Sequence, residues 1–279
     1  METKVYTSTK GYNLLGVLKE SLNGFSSSFY LAKQLSRRDI STQYRQSLLG
    51  VFWSFFPTLL SASIWILLNS TGTINLAATD IPYPLFVLIG TTVWSIFIDC
   101  LLMTVNSVNS NKSIITKVNF EKEALISLGL IKLFFNSGIK LVMVIFLMLF
   151  YQIPVSMSIL WFIPLLLMSI LLFVSLGIII TPLAMLYLDV SKFVPVAMQI
   201  FMYVTPVVYG MPKSGVMRTV MQFNPLTYLV ASIRNSLSGF PVEDGIIILS
   251  IGVFAIFTGC LSLVIYRVAM PIIIERMSS

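Results

Sequence analysis

The sequence predicts an all-α integral membrane protein with six transmembrane helices, an interfacial helix ahead of the first span, and short re-entrant helices between spans five and six. Three observations predict it. Of 279 residues, 57% are hydrophobic and 10% charged, whereas soluble domains carry about 25% charged residues. Charge gathers at the two ends and in a few short loops. The apolar runs between them reach the roughly 20 residues that a helix needs to cross a bilayer.

The elements follow in chain order. Residues 1–48 form an N-terminal segment with an interfacial helix over about 28–46, although its apolar residues do not sort into a clean stripe. Its first residues hold no apolar h-region, so a cleaved signal peptide is not expected. Residues 49–279 form the membrane domain, with spans at about 49–69, 84–104, 130–150, 160–187, 193–209 and 246–266. Seven of the eighteen Lys and Arg precede the first span. Segments 70–83 and 151–159 hold none. The positive-inside rule therefore puts both termini in the cytoplasm.

Two connections are long enough to carry a function. Cytoplasmic segment 109–125 mixes Lys117, Glu121, Lys122 and Glu123 with Ile114, Ile115, Val118 and Phe120. That composition suits a short surface helix that another protein grips, and a solvated loop is the plainer alternative. In outer segment 210–245, Asn224 caps a helix that starts at Pro225 and closes at Gly239. Leu226, Leu229, Val230, Ile233 and Leu237 fall on one face. Fourteen residues rise about 21 Å, short of the roughly 30 Å core, so this helix lies in the outer interface or re-enters it. A second short helix is expected within 212–223.

The chemistry is sparse. The chain contains no histidine, which removes most zinc sites and His-based catalysis. It has no phosphate-binding G-x-x-x-x-G-K-[ST] loop, no G-x-S-x-G elbow and no paired carboxylates. No catalytic residue, metal or cofactor is expected on it. Cys100 and Cys260 read as small packing residues. The net charge of +7 is accounted for by topology and anionic lipid, not nucleic acid. An intramembrane enzyme would need convergent acid and base groups, and Asp99 is the one acid clearly inside a span. A secondary transporter would show inverted repeats, and none is visible.

Lys132, Asn136 and Lys140, four apart, form a polar stripe on span three. Pairing of Lys132 with Asp99 and snorkelling explain it, and a positive track for an anionic lipid headgroup is the alternative. Prolines 57, 164, 182, 195 and 206 interrupt helices. The aromatics Phe52, Phe56, Trp65, Phe201, Tyr203 and Tyr209 either belong to the lipid face or line a path for sugar rings.

The stretch RDISTQYRQSLLGVFWSFFP (38–57) resembles the start of permease subunits of bacterial ABC transporters that export lipid-linked polysaccharides: O-antigen, capsule and teichoic acid. Arg38, Asp39, Tyr44, Arg45, Ser47, Leu49, Gly50, Trp53 and Pro57 fit that family's pattern. IITKVNF (114–120), MQIFMYVTPVVY (198–209) and FNPLTYLVASIRNSL (223–237) resemble three further family segments in the same order. Glu121, where proline is common, and Leu188, where arginine is common, depart from it.

The resemblance implies a multi-pass protein of the bacterial inner membrane. It implies a homodimer coupled to two copies of a separate ATPase subunit that binds ATP and Mg. The substrate is then a lipid-linked glycan, and an ABC exporter of a small molecule or drug is the nearest alternative. Arg37, Arg38 and Arg45 would receive the phosphates of the lipid carrier. Ile115, Lys117, Phe120, Glu121 and Lys122 would couple to the ATPase, and Asn224, Pro225 and Arg234 would belong to an outer gate.

Overall fold

The structure, a computed structural model, describes residues 14–45, 49–73, 79–115, 117–118, 120–154 and 156–278. Among the described residues every regular element is helical. Ser47 of the amino-terminal motif lies outside them, as do Thr116 and Asn119 of the coupling segment.

Helix α1 (Leu14–Arg45) has 32 residues, starting well before the helix expected at 28–46. Its buried face is a row of small side chains, Ser21, Gly24, Ser28 and Ala32, followed by Leu35 and Ser36. Small residues let helix backbones approach closely. Through this row α1 lies along α5 (Glu123–Phe150), with Ala32 and Leu35 clustered on Leu128.

A 3₁₀ turn (Gly50–Ser54) leads into α2 (Phe56–Ser70). Pro57, expected to interrupt a span, instead sits in the first turn of α2, where a missing N–H costs no helical hydrogen bond. Pro164 likewise sits in the first turn of α6 (Phe162–Leu186), whereas Pro182 is inside that helix.

Helix α3 (Tyr83–Ser110) is the centre of the bundle and packs against α2, α5, α6, α7 (Leu188–Tyr203) and α9 (Pro225–Ser238). Side-chain size sets two of these approaches. A Cβ on Gly177 of α6 would lie 2.6 Å from the Leu101 carbonyl oxygen, and one on Gly129 of α5 would lie 3.1 Å from that of Met103. One turn earlier on α3, Phe97 stacks on Phe173 with centroids 4.3 Å apart. Helix α10 (Gly245–Ser278) covers the other side of α6. The short α4 (Lys112–Ile115) follows α3, and α8 (Val216–Phe223) precedes α9.

Among the described residues four helices are long and apolar enough to cross a membrane: Tyr83–Ser110, Glu123–Phe150, Met157–Leu186 with its leading 3₁₀ turn, and Gly245–Arg276. The other two expected spans are shorter. Helices α2 and α7 have 15 and 16 residues and rise about 22–24 Å.

The fifth span differs from its expected limits of 193–209: α7 begins at Leu188 and stops at Tyr203. Pro206 has no N–H to donate and disfavours helical backbone at Thr205, so the chain leaves the helix there. The sixth differs in the other direction. Helix α10 continues past residue 266, through Pro271, to Ser278. Helix α9 matches its expected limits. The Asn224 side chain accepts from the Leu226 N–H at 3.0 Å, and Gly239 closes the helix at φ +84°.

Candidate functional site

The end of α1, the 3₁₀ turn and the start of α2 form one polar and aromatic corner. Arg38 donates to Asp39 at 2.7 Å and to the Asn111 side chain at 2.7 Å. The Lys132 ammonium reaches the other Asp39 oxygen at 3.4 Å. Tyr44 shares a hydrogen bond with Ser54 at 2.6 Å and donates to Asn136 at 2.9 Å. Arg38, Asp39 and Tyr44 therefore fasten α1 to α3, to α5 and to the turn. Arg37 and Arg45 are exposed and make no ion pair among the described residues.

The stripe on α5 is satisfied in register. Lys132 meets Asp39, Asn136 meets Tyr44, and Lys140 meets Asp99 at 2.6 Å, with Ser95 also accepting at 2.6 Å. The expected pairing of Lys132 with Asp99 is corrected to Lys140 with Asp99. Two helical turns separate the lysines, and the antiparallel pair α3 and α5 places Asp99 level with the second. Lys140 is buried, while the Asp99 side chain is 40% exposed.

Aromatic rings gather at both ends of α2. Phe52 lies 4.9 Å from Phe56 and 5.2 Å from Phe55, and Trp53 lies 5.5 Å from Phe56. Towards the other end, Trp65 faces Tyr203 with centroids 6.4 Å apart, and the Tyr209 hydroxyl donates to the Tyr203 carbonyl. Five of the six expected path aromatics thus group along α2 and the end of α7. Phe201 stands apart, exposed beside an apolar hollow that includes Phe193, Val194 and Met198.

The segment after α7 is buried but not helical: Thr205, Val207 and Val208 are fully enclosed. Non-helical backbone at membrane depth needs its polar groups satisfied by protein, and the expected gate residues satisfy them. Arg234 donates to the Pro206 carbonyl at 3.0 Å and the Val207 carbonyl at 2.6 Å. Asn224 donates to Val204 at 3.2 Å and to the Thr205 hydroxyl at 2.9 Å. Tyr83 donates to Val208 at 3.0 Å. The Arg234 guanidinium also lies 3.6 Å above the centre of the Phe86 ring. Gly90 makes this approach possible, since a Cβ there would stand 2.0 Å from the Val207 oxygen. Pro225 opens α9.

The expected coupling segment meets both α1 and α10. Ile115 is buried, whereas Lys117 and Glu121 are exposed. The Lys122 ammonium sits 4.7 Å from the centre of the Phe120 ring. Burial holds Lys122 below the ordinary lysine value, opposed by the charges of Glu121 and Glu123. Beside it Arg267 of α10 reaches Glu123 at 2.5 Å, Glu121 at 3.4 Å and Glu20 of α1 at 3.5 Å. Gly24 fits α1 against this cluster: a Cβ there would lie 3.0 Å from the Glu123 carboxyl. Sequence reasoning missed Gly24, Gly90, Tyr83 and Arg267. The signal for Arg267 was present in the acidic pair Glu121 and Glu123 opposite the basic end of span six.

An apolar helical bundle with four membrane-length helices among the described residues, its buried charges held by ion pairs or, at Arg234, by backbone carbonyls, defines a multi-pass membrane protein. The chain belongs to the ABC-2 type transporter family, whose model matches residues 30–238. It is 27% identical over 214 residues to an O-antigen export system permease protein RfbA of Klebsiella pneumoniae, covering 74% of this chain and 80% of that protein. A second protein of the same name and organism is 24% identical over 211 residues, covering 74% and 79%. Membership makes the chain a membrane permease that works with a separate ATPase subunit.

Proposed function

We propose that this permease moves a lipid-linked polysaccharide, of O-antigen, capsule or teichoic-acid type, across the bacterial inner membrane between two copies of itself. The observation that carries this reading is the placement of rings along α2. Phe52 and Phe56 cluster at its start and Trp65 faces Tyr203 further along. Sugar C–H faces stack on aromatic rings without a fixed hydrogen-bond register, which a sliding polymer requires. The two relatives named as O-antigen export permeases support the same substrate class.

Both termini are cytoplasmic in this reading, and six segments cross. The 3₁₀ turn completes the first span and residues 204–208, buried from Thr205 onward, complete the fifth. Exposed Arg37 and Arg45 receive the phosphates of the lipid carrier, with Arg38 beside them holding α1 in place. The exposed apolar faces of α2 (Leu60, Ile64, Leu67) and α7 (Phe193, Val196, Ile200) meet those of a second copy. Two copies of the ATPase subunit, which bind ATP and Mg, engage Ile115, Lys117, Phe120, Glu121 and Lys122. Outside, α8 and α9 move with the 204–208 segment as a gate, because Asn224 and Arg234 bind them together.

The test is export by the assembled transporter carrying Phe56→Ala or Trp65→Ala. Slower glycan export with unchanged ATPase binding supports the path. Unchanged export by both variants rejects it.

A further inference from the structure

Helix α10 has 34 residues, a rise of about 51 Å against a membrane core of about 30 Å. Its last turns therefore stand clear of the bilayer, beside the coupling segment. Between them is a cleft of about 370 Å³. Pro271 and Ile274 of α10 and Ile115 and Val118 of the segment give it apolar walls, and Lys117, Lys122 and Glu275 stand at its charged margin. Val118 is 53% exposed, so the apolar wall continues onto the open surface.

We propose that this cleft receives an apolar side chain of the ATPase subunit, flanked by a carboxylate that meets Lys117. The inference rests on reading 109–125 as the coupling segment, and it adds the end of α10 as the second wall of that interface. A protein partner fits better than a lipid tail, because the cleft lies past the Arg267 cluster with Glu121 and Glu123 and has charges at its margin. An exposed apolar depression rimmed by charge is the form of a protein interface with a central anchor residue.

The walls of the cleft are bonded to each other. Tyr266 of α10 donates to the Lys122 carbonyl at 3.2 Å, and Arg267 holds Glu121 and Glu123 of the segment together with Glu20 of α1. A side chain seated in the cleft therefore pushes α10, the segment and α1 as one body. Sequence reading placed the coupling residues on the segment, without α10.

The test uses the full-length permease and its ATPase subunit, purified separately, with affinity measured in detergent. Ile274→Trp fills the cleft from the α10 side, and Lys117→Glu reverses the charge on the segment side. Each weakens ATPase binding about tenfold, the loss expected when one anchor contact is removed. If Lys117→Glu weakens binding while a folded Ile274→Trp stays within about twofold of wild type, the role of α10 is overturned and the coupling segment stands. If neither weakens it, both are overturned. A photocrosslinking amino acid at position 274 decides the matter even if Ile274→Trp fails to fold. Capture of the ATPase subunit supports the cleft, and capture of lipid alone overturns it.

Discussion

The Glu123 carboxylate accepts a hydrogen bond from the Arg267 guanidinium at 2.5 Å, joining the start of α5 to the lower part of α10 across 144 residues of sequence. Glu123 is almost fully buried, at 1% exposure, so its charge depends on that partner. Removing one member of a buried pair leaves an uncompensated charge and costs about 3–5 kcal/mol. We expect Arg267→Met to lower thermal stability in detergent by that order and to reduce transport per ATP hydrolysed. Adding Glu123→Gln should restore most of the stability and leave coupling impaired. Equal instability of the single and double variants would show that the pair is not the source.

Arg234 should behave as a structural donor. Arg234→Met strands the Pro206 and Val207 carbonyls, at about 1–3 kcal/mol for each buried unsatisfied group. Gly90→Ala should reproduce the defect by forcing Val207 away. Thermal unfolding of the two variants checks this, and a wild-type melting temperature in both would contradict the arrangement.

Gly24→Leu should lift α1 from the Glu123–Arg267 cluster while leaving the remaining bundle intact. Limited trypsin digestion reads it out, because Lys19, Lys33 and Arg37 lie on α1. We expect cleavage there to accelerate in Gly24→Leu relative to wild type, with cleavage near Lys213 and Arg218 unchanged.

The Lys140–Asp99 pair makes a further case for a double-variant cycle. Asp99→Asn leaves the buried Lys140 charge without its counter-ion, which is expensive at membrane depth. We expect Asp99→Asn to reduce yield and thermal stability more than Lys140→Met with Asp99→Leu does. The reverse order would mean that Asp99 acts independently of Lys140.

The sequence made the membrane class legible because apolar runs are long and charges few. It made α9 legible because Asn224, Pro225 and Gly239 each have one backbone role at a helix end. The packing face of α1 was hidden. Ser21, Gly24 and Ser28 score as polar or neutral, yet it is their small size that lets α1 lie against α5. The early end of α7 was hidden for another reason: Thr205–Val208 is apolar enough to read as span, and Pro206 ends the helix without ending burial. Arg234 read as a gate charge because one sequence does not show that the Pro206 and Val207 carbonyls lack helical partners. The lysine register failed because Lys132 and Lys140 share a helix face, and the relative heights of α3 and α5 decide which one Asp99 meets.

The central claim is that this chain provides a passage for a lipid-linked polysaccharide and that a separate ATPase subunit drives it. The most direct test is transfer of a labelled lipid-linked glycan across proteoliposomes holding the permease, with and without its ATPase subunit and ATP. We expect transfer only when the permease, the ATPase subunit and ATP are all present, and slower transfer in Phe56→Ala. Transfer by the permease alone, or none by the complete system that still hydrolyses ATP, would contradict the account.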